Sequence, residues 1–136
     1  MKYKGFSGTW KLNLERSDIP PVTKSQIVTI ETDGNFVNML KEIINDKGEY
    51  LKITFKGKFD GMDYPIEGTP FVDTESYRLL KPNIIEATAK KNGKICVKET
   101  GVLSGSGDTI KVTYLSFDED GKVIKNFGYF ERVEKD

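Results

Sequence analysis

Side chains that could do chemistry are scarce in this chain, which has no histidine and a single cysteine among its 136 residues. Histidine is the usual general base of nucleophilic triads, the axial ligand of many haems and the commonest ligand of zinc and copper. Cys96 lies between Ile95 and Val97 in a strand-like run, and without a histidine partner we interpret it as a structural thiol. We therefore expect no catalytic residue of these classes, no metal site and no cofactor.

Carboxylates are the remaining candidates for catalysis. Glu86 and Glu99 are the acids most nearly embedded in apolar strand patterns, and Glu99 with Tyr114 defines one enzymatic alternative, an isomerase or hydrolase. The run "DEDGK" at 118–122 matches a calcium loop poorly, because the closing glutamate would fall at position 129, which is a tyrosine. The run "SGSGD" at 104–108 lacks the lysine of a phosphate-binding loop. We interpret both runs as turns and expect the protein not to be an enzyme.

Turn signals divide the chain into segments that alternate as strands do. Asx-Gly pairs favour tight hairpins, because Gly accepts the positive φ angles of these turns. In "YLKITFKGKF", Leu51, Ile53 and Phe55 lie on one side and the lysines on the other. The turn signals are Asp33-Gly34, Asp46-Lys47-Gly48, Asp60-Gly61, Asn92-Gly93, "SGSGD" and "DEDG". This pattern predicts an antiparallel meander of about nine strands, with a tenth if "DYPI" forms one.

Two segments depart from this rhythm. "NFVNMLKEII" also fits helical spacing, but the Asp-Gly turn before it and "NDKG" after it favour a strand. The region 61–83 contains Pro65, Pro70 and Pro82, and proline cannot donate to a ladder. We expect a short strand there, followed by a long loop at a barrel mouth.

We expect the meander to close, because pairing the first strand with the last removes the two exposed edges of the sheet. The sequence therefore predicts an all-β fold with little or no helix: a single up-and-down antiparallel β-barrel of about eight to ten strands, forming one domain over residues 1–136. An open sandwich is the alternative.

Trp10, the only tryptophan, lies in "FSGTWKLNLERS", and the chain ends in "GYFERVEKD". These segments resemble the first and last strands of the calycin superfamily, the lipocalins and fatty-acid-binding proteins. The chain is most similar to small bacterial lipocalin-like proteins of uncharacterised function, through "FDGMDYPIEGTP" at 59–70, "DTESYRLL" at 73–80 and "DEDGK". In these families the Trp closes one end of the barrel beneath a basic residue, so the resemblance implies a structural pair of Trp10 and Arg132. Such a cation–π contact contributes about 0.5–2 kcal/mol.

Two features differ from the fatty-acid-binding proteins. The segment with Pro20 and Pro21 is too short for their helical lid, and Gly128 and Phe130 stand where those proteins place the Arg-x-Tyr pair that holds a carboxylate. Arg78 or Arg16 could substitute if its side chain points inward; a solvent-facing arginine is the alternative.

The resemblance and the aromatic content favour a binding protein for a small, lipophilic ligand inside the barrel, because pockets of this type are mostly apolar with a few polar groups. The alternative is a barrel filled by its own side chains, acting as a structural or protein-interaction domain. The expected ligand-binding residues are Phe55, Tyr64, Phe71, Tyr77, Arg78, Tyr114, Phe127 and Tyr129, with Tyr64 and Phe71 at the mouth.

Charge and hydropathy set the expected partners. The 21 basic and 21 acidic residues cancel, so nucleic acid and membrane surfaces are not expected partners. No apolar run is long enough to span a membrane, and "MKYKGFSG" lacks the apolar stretch of a signal peptide. We expect a cytoplasmic monomer of bacterial type; a periplasmic or secreted location, with a signal peptide removed, is the alternative.

Overall fold

The computed structural model describes residues 5–21 and 23–133; the last three residues of "GYFERVEKD" lie outside them. Ten strands and no helix are assigned in these residues. The strands are β1 (Gly8–Asp18), β2 (Thr23–Thr32), β3 (Phe36–Asn45), β4 (Tyr50–Lys58), β5 (Tyr64–Glu67), β6 (Thr74–Lys81), β7 (Ile84–Lys91), β8 (Lys94–Leu103), β9 (Thr109–Phe117) and β10 (Val123–Arg132). Within the described ranges, no helix is long and apolar enough to cross a membrane.

The ten strands close into one antiparallel barrel in which each strand pairs with its neighbours in sequence and β1 pairs with β10. Trp10 lies opposite Arg132 in this closing pair, and Leu12 lies opposite Phe130. The predicted all-β up-and-down barrel is therefore confirmed, and the open sandwich is excluded.

Both ambiguous segments are strands. "NFVNMLKEII" lies within β3, whose residues Val37, Met39, Lys41 and Ile43 share one face. "DYPI" supplies most of β5, which is only four residues long and makes two pairings with β4 and two with β6. The chain between β5 and β6 is a loop, as the prolines predict.

The hairpin turns follow the Asx-Gly signals. Asn92 and Gly93 connect β7 to β8 with φ angles of 52° and 78°, and positive φ at both central residues gives the hairpin the twist of its strands. The Asp73 carboxylate ties the loop before β6 to this turn: it accepts hydrogen bonds from the Asn92 amide at 2.6 Å and the Lys91 ammonium at 3.1 Å. Both contacts lower the pKa of Asp73.

One end of the barrel is sealed by Trp10, whose side chain is fully buried. Its indole N–H donates to the Phe6 carbonyl at 3.0 Å. Trp10 belongs to a buried hydrophobic core to which most strands contribute; the core includes Phe6, Leu12, Val28, Ile30, Val37, Leu103 and Phe130. The interior that remains lies between this sealed end and the opposite mouth.

Candidate functional site

Two adjoining chambers occupy the barrel interior. The inner chamber lies against Trp10 and has a volume of about 80 Å³. The outer chamber lies toward the opposite mouth and has a volume of about 300 Å³. Four side chains line both chambers, and we call them the polar belt: Gln26, Lys41, Glu99 and Tyr114.

The chamber walls on either side of the polar belt are mostly apolar. Val28, Ile85, Ile110 and Phe130 are among the side chains that line the inner chamber. The outer chamber is lined by Leu12, Ile43, Ile53 and Val97, by Ile19, Pro20 and Thr23 at its mouth, and by Ser116 and Asn126. A molecule in the outer chamber therefore meets apolar walls and, at its inner end, a ring of polar groups.

Strand register brings the polar belt together from distant parts of the sequence. Glu99 on β8 lies opposite Tyr114 on β9 and opposite Ala87 on β7, and Ala87 lies opposite Tyr77 on β6. Lys41 on β3 lies between Val28 on β2 and Ile53 on β4. Because side chains alternate between the faces of a strand, these registers fix which residues point inward.

Lys41 remains an ammonium ion at neutral pH. Burial alone would lower the pKa of Lys41, but the carboxylates of Glu99 and Glu75 outweigh it and raise the pKa above its ordinary value. The belt therefore presents a fixed positive charge to the cavity.

A buried acid, Glu75, interacts with Lys41 of the belt and is only 4% exposed. The Tyr77 hydroxyl donates to Glu75 Oε1 at 3.0 Å and lies 3.6 Å from Met39 Sδ. Burial raises the pKa of Glu75, and Lys41 opposes this shift in part. Burial also raises the pKa values of Tyr77 and Tyr114, so both phenols remain protonated donors.

The polar groups of the belt have no partner among the described residues. No side-chain hydrogen bond of the described residues involves any of the four belt side chains. The ion pairs within 4.0 Å join Arg16 with Glu131, Lys90 with Asp63 and Lys91 with Asp73, so none involves Lys41 or Glu99. No fully buried side-chain nitrogen or oxygen of the described residues lacks a partner. The unpaired atoms of the belt are therefore accessible from the cavity.

Of the residues expected to bind a ligand, Tyr77 and Tyr114 line the inner chamber, and Tyr114 also lines the outer one. Phe55 is a packed core aromatic, with its ring centroid 4.7 Å from that of Tyr77. Tyr64 packs edge-on against Phe55 at 6.2 Å and donates its hydroxyl to Asp60 Oδ2 at 2.6 Å. Phe71 is 75% exposed on the loop before β6 and lines neither chamber.

The expected inward placement of Phe127 and Tyr129 is wrong. Phe130 faces the interior, so the alternation along β10 turns Phe127 and Tyr129 outward. On the outer face the Lys111 ammonium lies 5.1 Å and 5.6 Å from their ring centroids, and the Arg16 guanidinium lies 4.2 Å over Tyr129.

Arg78 also points outward, so its expected role inside the barrel is wrong. Glu75 and Tyr77 are buried on β6, and Arg78 has the opposite parity and is exposed. Its guanidinium packs against Gly61, where an added Cβ would lie 2.5 Å from it.

Gln26, Lys41 and Glu75 are site residues that the sequence analysis missed. The signal for Lys41 was its parity with Val37, Met39 and Ile43 once the segment is taken as a strand. No group of three or more metal-ligating side chains lies together in the described part of the chain.

No family model matches the chain, and no curated protein matches it.

Proposed function

We propose that the protein binds a small, mainly apolar molecule in the outer chamber of the barrel, with the polar belt holding the molecule's polar group. One observation carries the proposal: two apolar-walled chambers meet at four polar side chains that have no partner among the described residues. Ligand pockets characteristically combine apolar walls with a few convergent polar groups.

The free-energy cost of placing charged groups in the barrel interior supports the same proposal. Moving an ammonium or a carboxylate out of water is unfavourable by several kcal/mol unless it is paired and hydrogen-bonded. Neither Lys41 nor Glu99 forms an ion pair within 4.0 Å among the described residues. A ligand that uses both groups accounts for their presence.

Chamber size favours the outer chamber as the binding site. The outer chamber, at about 300 Å³, reaches the lower end of the range for small-molecule pockets, whereas the inner chamber, at about 80 Å³, does not. The first and last strands resemble those of lipocalins, and we propose a lipocalin-like binding protein on that ground. No catalytic step is proposed.

Binding is tested by titrating the purified protein with the neutral fluorophore N-phenyl-1-naphthylamine and by native mass spectrometry of the protein as isolated. We expect saturable fluorescence enhancement. Val97→Phe, which fills the outer chamber, should remove it. Val102→Phe, on the exposed face of the same strand, is the matched control and should leave it unchanged.

The second candidate function is a filled barrel that acts as a structural or protein-interaction domain. The tight packing around Trp10 favours it, since the sealed half leaves only about 80 Å³. Absence of a saturable signal, together with no co-purified small molecule, would favour this function over ligand binding.

A further inference from the structure

Two opposite charges face the outer chamber from different strands. Lys41 comes from β3 and Glu99 from β8, and both belong to the lining of both chambers. Among the described residues no ion pair within 4.0 Å joins them, so neither charge is neutralised by direct contact with the other. A ligand head group at the belt therefore faces one charge of each sign.

The hydrogen-bonding capacities of the belt are complementary. An ammonium only donates and an ionised carboxylate only accepts, whereas a phenol and a primary amide do both. A head group that fits all four side chains needs an acceptor for Lys41 and a donor for Glu99. Tyr114 and Gln26 adapt to either.

A head group with a single charge satisfies only half of this arrangement. A carboxylate attracted by Lys41 would face Glu99, with Glu75 adding a second acid that interacts with Lys41. An ammonium attracted by Glu99 would face Lys41. In a chamber with apolar walls, such like-charge contacts are screened less than in water.

We propose that the ligand carries an uncharged head group with both a hydrogen-bond donor and an acceptor, of the primary amide class, on an apolar body. This inference rests on the proposed binding function. In this arrangement the amide oxygen accepts from Lys41 and the amide N–H donates to Glu99.

Three probes with the same alkyl chain test the head group: decanamide, decanoic acid and decylamine. Each probe is titrated at pH 7 against protein carrying N-phenyl-1-naphthylamine, below the concentration at which the probe aggregates. Displacement of the fluorophore gives the affinity of the probe. With wild-type protein, decanamide should bind about tenfold or more tightly than either charged probe. Tightest binding of decanoic acid or of decylamine would overturn the inference.

Two charge-removing variants should change the relative affinities of decanoic acid and decylamine in opposite directions. Lys41→Met leaves Glu99 alone in the belt, so decylamine should then bind more tightly than decanoic acid. Glu99→Gln leaves Lys41 alone, so decanoic acid should then bind more tightly than decylamine. An unchanged order in folded variants would contradict the inference, and if Lys41→Met fails to fold, Glu99→Gln decides alone.

The matched controls remove the same charges from the outer face. Lys98→Met, beside Glu99 on β8, and Glu86→Gln, on β7, should keep the wild-type order. Equal binding of all three probes would overturn the head-group inference and leave the proposed function intact. If neither the fluorophore nor any probe binds, the proposed function fails, and this inference fails with it.

Discussion

The Arg132 guanidinium lies over the Trp10 ring at 4.3 Å from its centroid and at the same time closes the sealed end of the barrel by hydrogen bonds. Its three nitrogens donate to the carbonyl oxygens of Gly107 at 2.9 Å, Ser7 at 2.7 Å and Gly5 at 2.7 Å. One side chain from the last strand thus joins the segment before the first strand to the turn between β8 and β9.

Replacing this arginine should weaken the whole barrel. We expect Arg132→Ala to lower the free energy of unfolding by about 2–4 kcal/mol, because the change removes a cation–π contact and several charge-assisted hydrogen bonds. Urea denaturation followed by Trp10 fluorescence measures the loss. Arg16→Ala is the matched control: Arg16 also lies over an aromatic ring and pairs with Glu131, but it is exposed, so its loss should cost about 1 kcal/mol or less. Equal effects of the two changes would contradict the special role of Arg132.

The buried acid Glu75 should make stability depend on pH. Burial raises the pKa of Glu75 in the folded protein above its ordinary value of 4.5. Below pH 4.5 both states hold the proton; as pH rises, the unfolded state releases it while the folded state keeps it, so wild-type stability falls until the folded pKa is passed. Glu75→Gln cannot lose a proton. The free energy of unfolding of Glu75→Gln relative to wild type should therefore increase as pH rises above 4.5, in urea titrations across that range.

Asp73 provides a control of opposite sign. Its folded pKa is lowered below the ordinary 3.8, mainly by hydrogen bonds from Asn92 and Lys91. Asp73 therefore stabilises the fold above pH 3.8, and this contribution disappears as pH falls through the folded pKa. Asp73→Asn should be less stable than wild type at neutral pH, with the difference shrinking in acid. If Glu75→Gln instead lost stability relative to wild type as pH rises, as Asp73→Asn should, burial would not raise the pKa of Glu75.

The sequence pattern was sufficient to predict the barrel because the turns depend on local signals and closure follows from the two edges that an open meander would expose. Asn92-Gly93 and similar pairs determine where strands end, and the resemblance of the terminal strands pointed to Trp10 and Arg132. The interior was harder to predict. β10 carries aromatic residues on both faces, Phe127 and Tyr129 outside and Phe130 inside, so composition alone does not tell the two faces apart.

The charged residues of the site were not predicted, for a different reason. Lys41 follows the apolar run of β3, where a lysine is ordinarily solvent-facing, and only the barrel register shows that it points toward Glu99. Gln26 and Glu75 share the parity of buried neighbours on their own strands, but a polar residue at such a position does not by itself indicate a site. Groups that meet across a closed barrel are separated by tens of residues, so their proximity depends on tertiary structure.

Gly68, at the end of β5, should resist substitution. Its φ angle is +100°, and an added Cβ would collide with the Lys52 carbonyl oxygen on β4. We expect Gly68→Ala to destabilise the fold by about 1–3 kcal/mol, measured by urea denaturation. Gly105→Ala is the matched control, since a Cβ there meets nothing within 4 Å, and it should change stability by less than about 0.5 kcal/mol. A tolerated Gly68→Ala would mean that β5 moves away from β4 freely.

A substitution at Gly101 tests which of the two chambers holds the ligand. It lines the inner chamber from β8, and an added Cβ would meet Ile110 and Val112 at 3.5 Å and 3.9 Å, which are ordinary contacts. Gly101→Val should therefore fill the inner chamber and leave stability unchanged or raise it by about 0.5–1 kcal/mol, as expected when a glycine in a strand is replaced without strain. Because the outer chamber holds the proposed ligand, fluorophore affinity should stay within about twofold of wild type, whereas Val97→Phe abolishes it. Loss of binding in a stably folded Gly101→Val protein would instead place the ligand against Trp10.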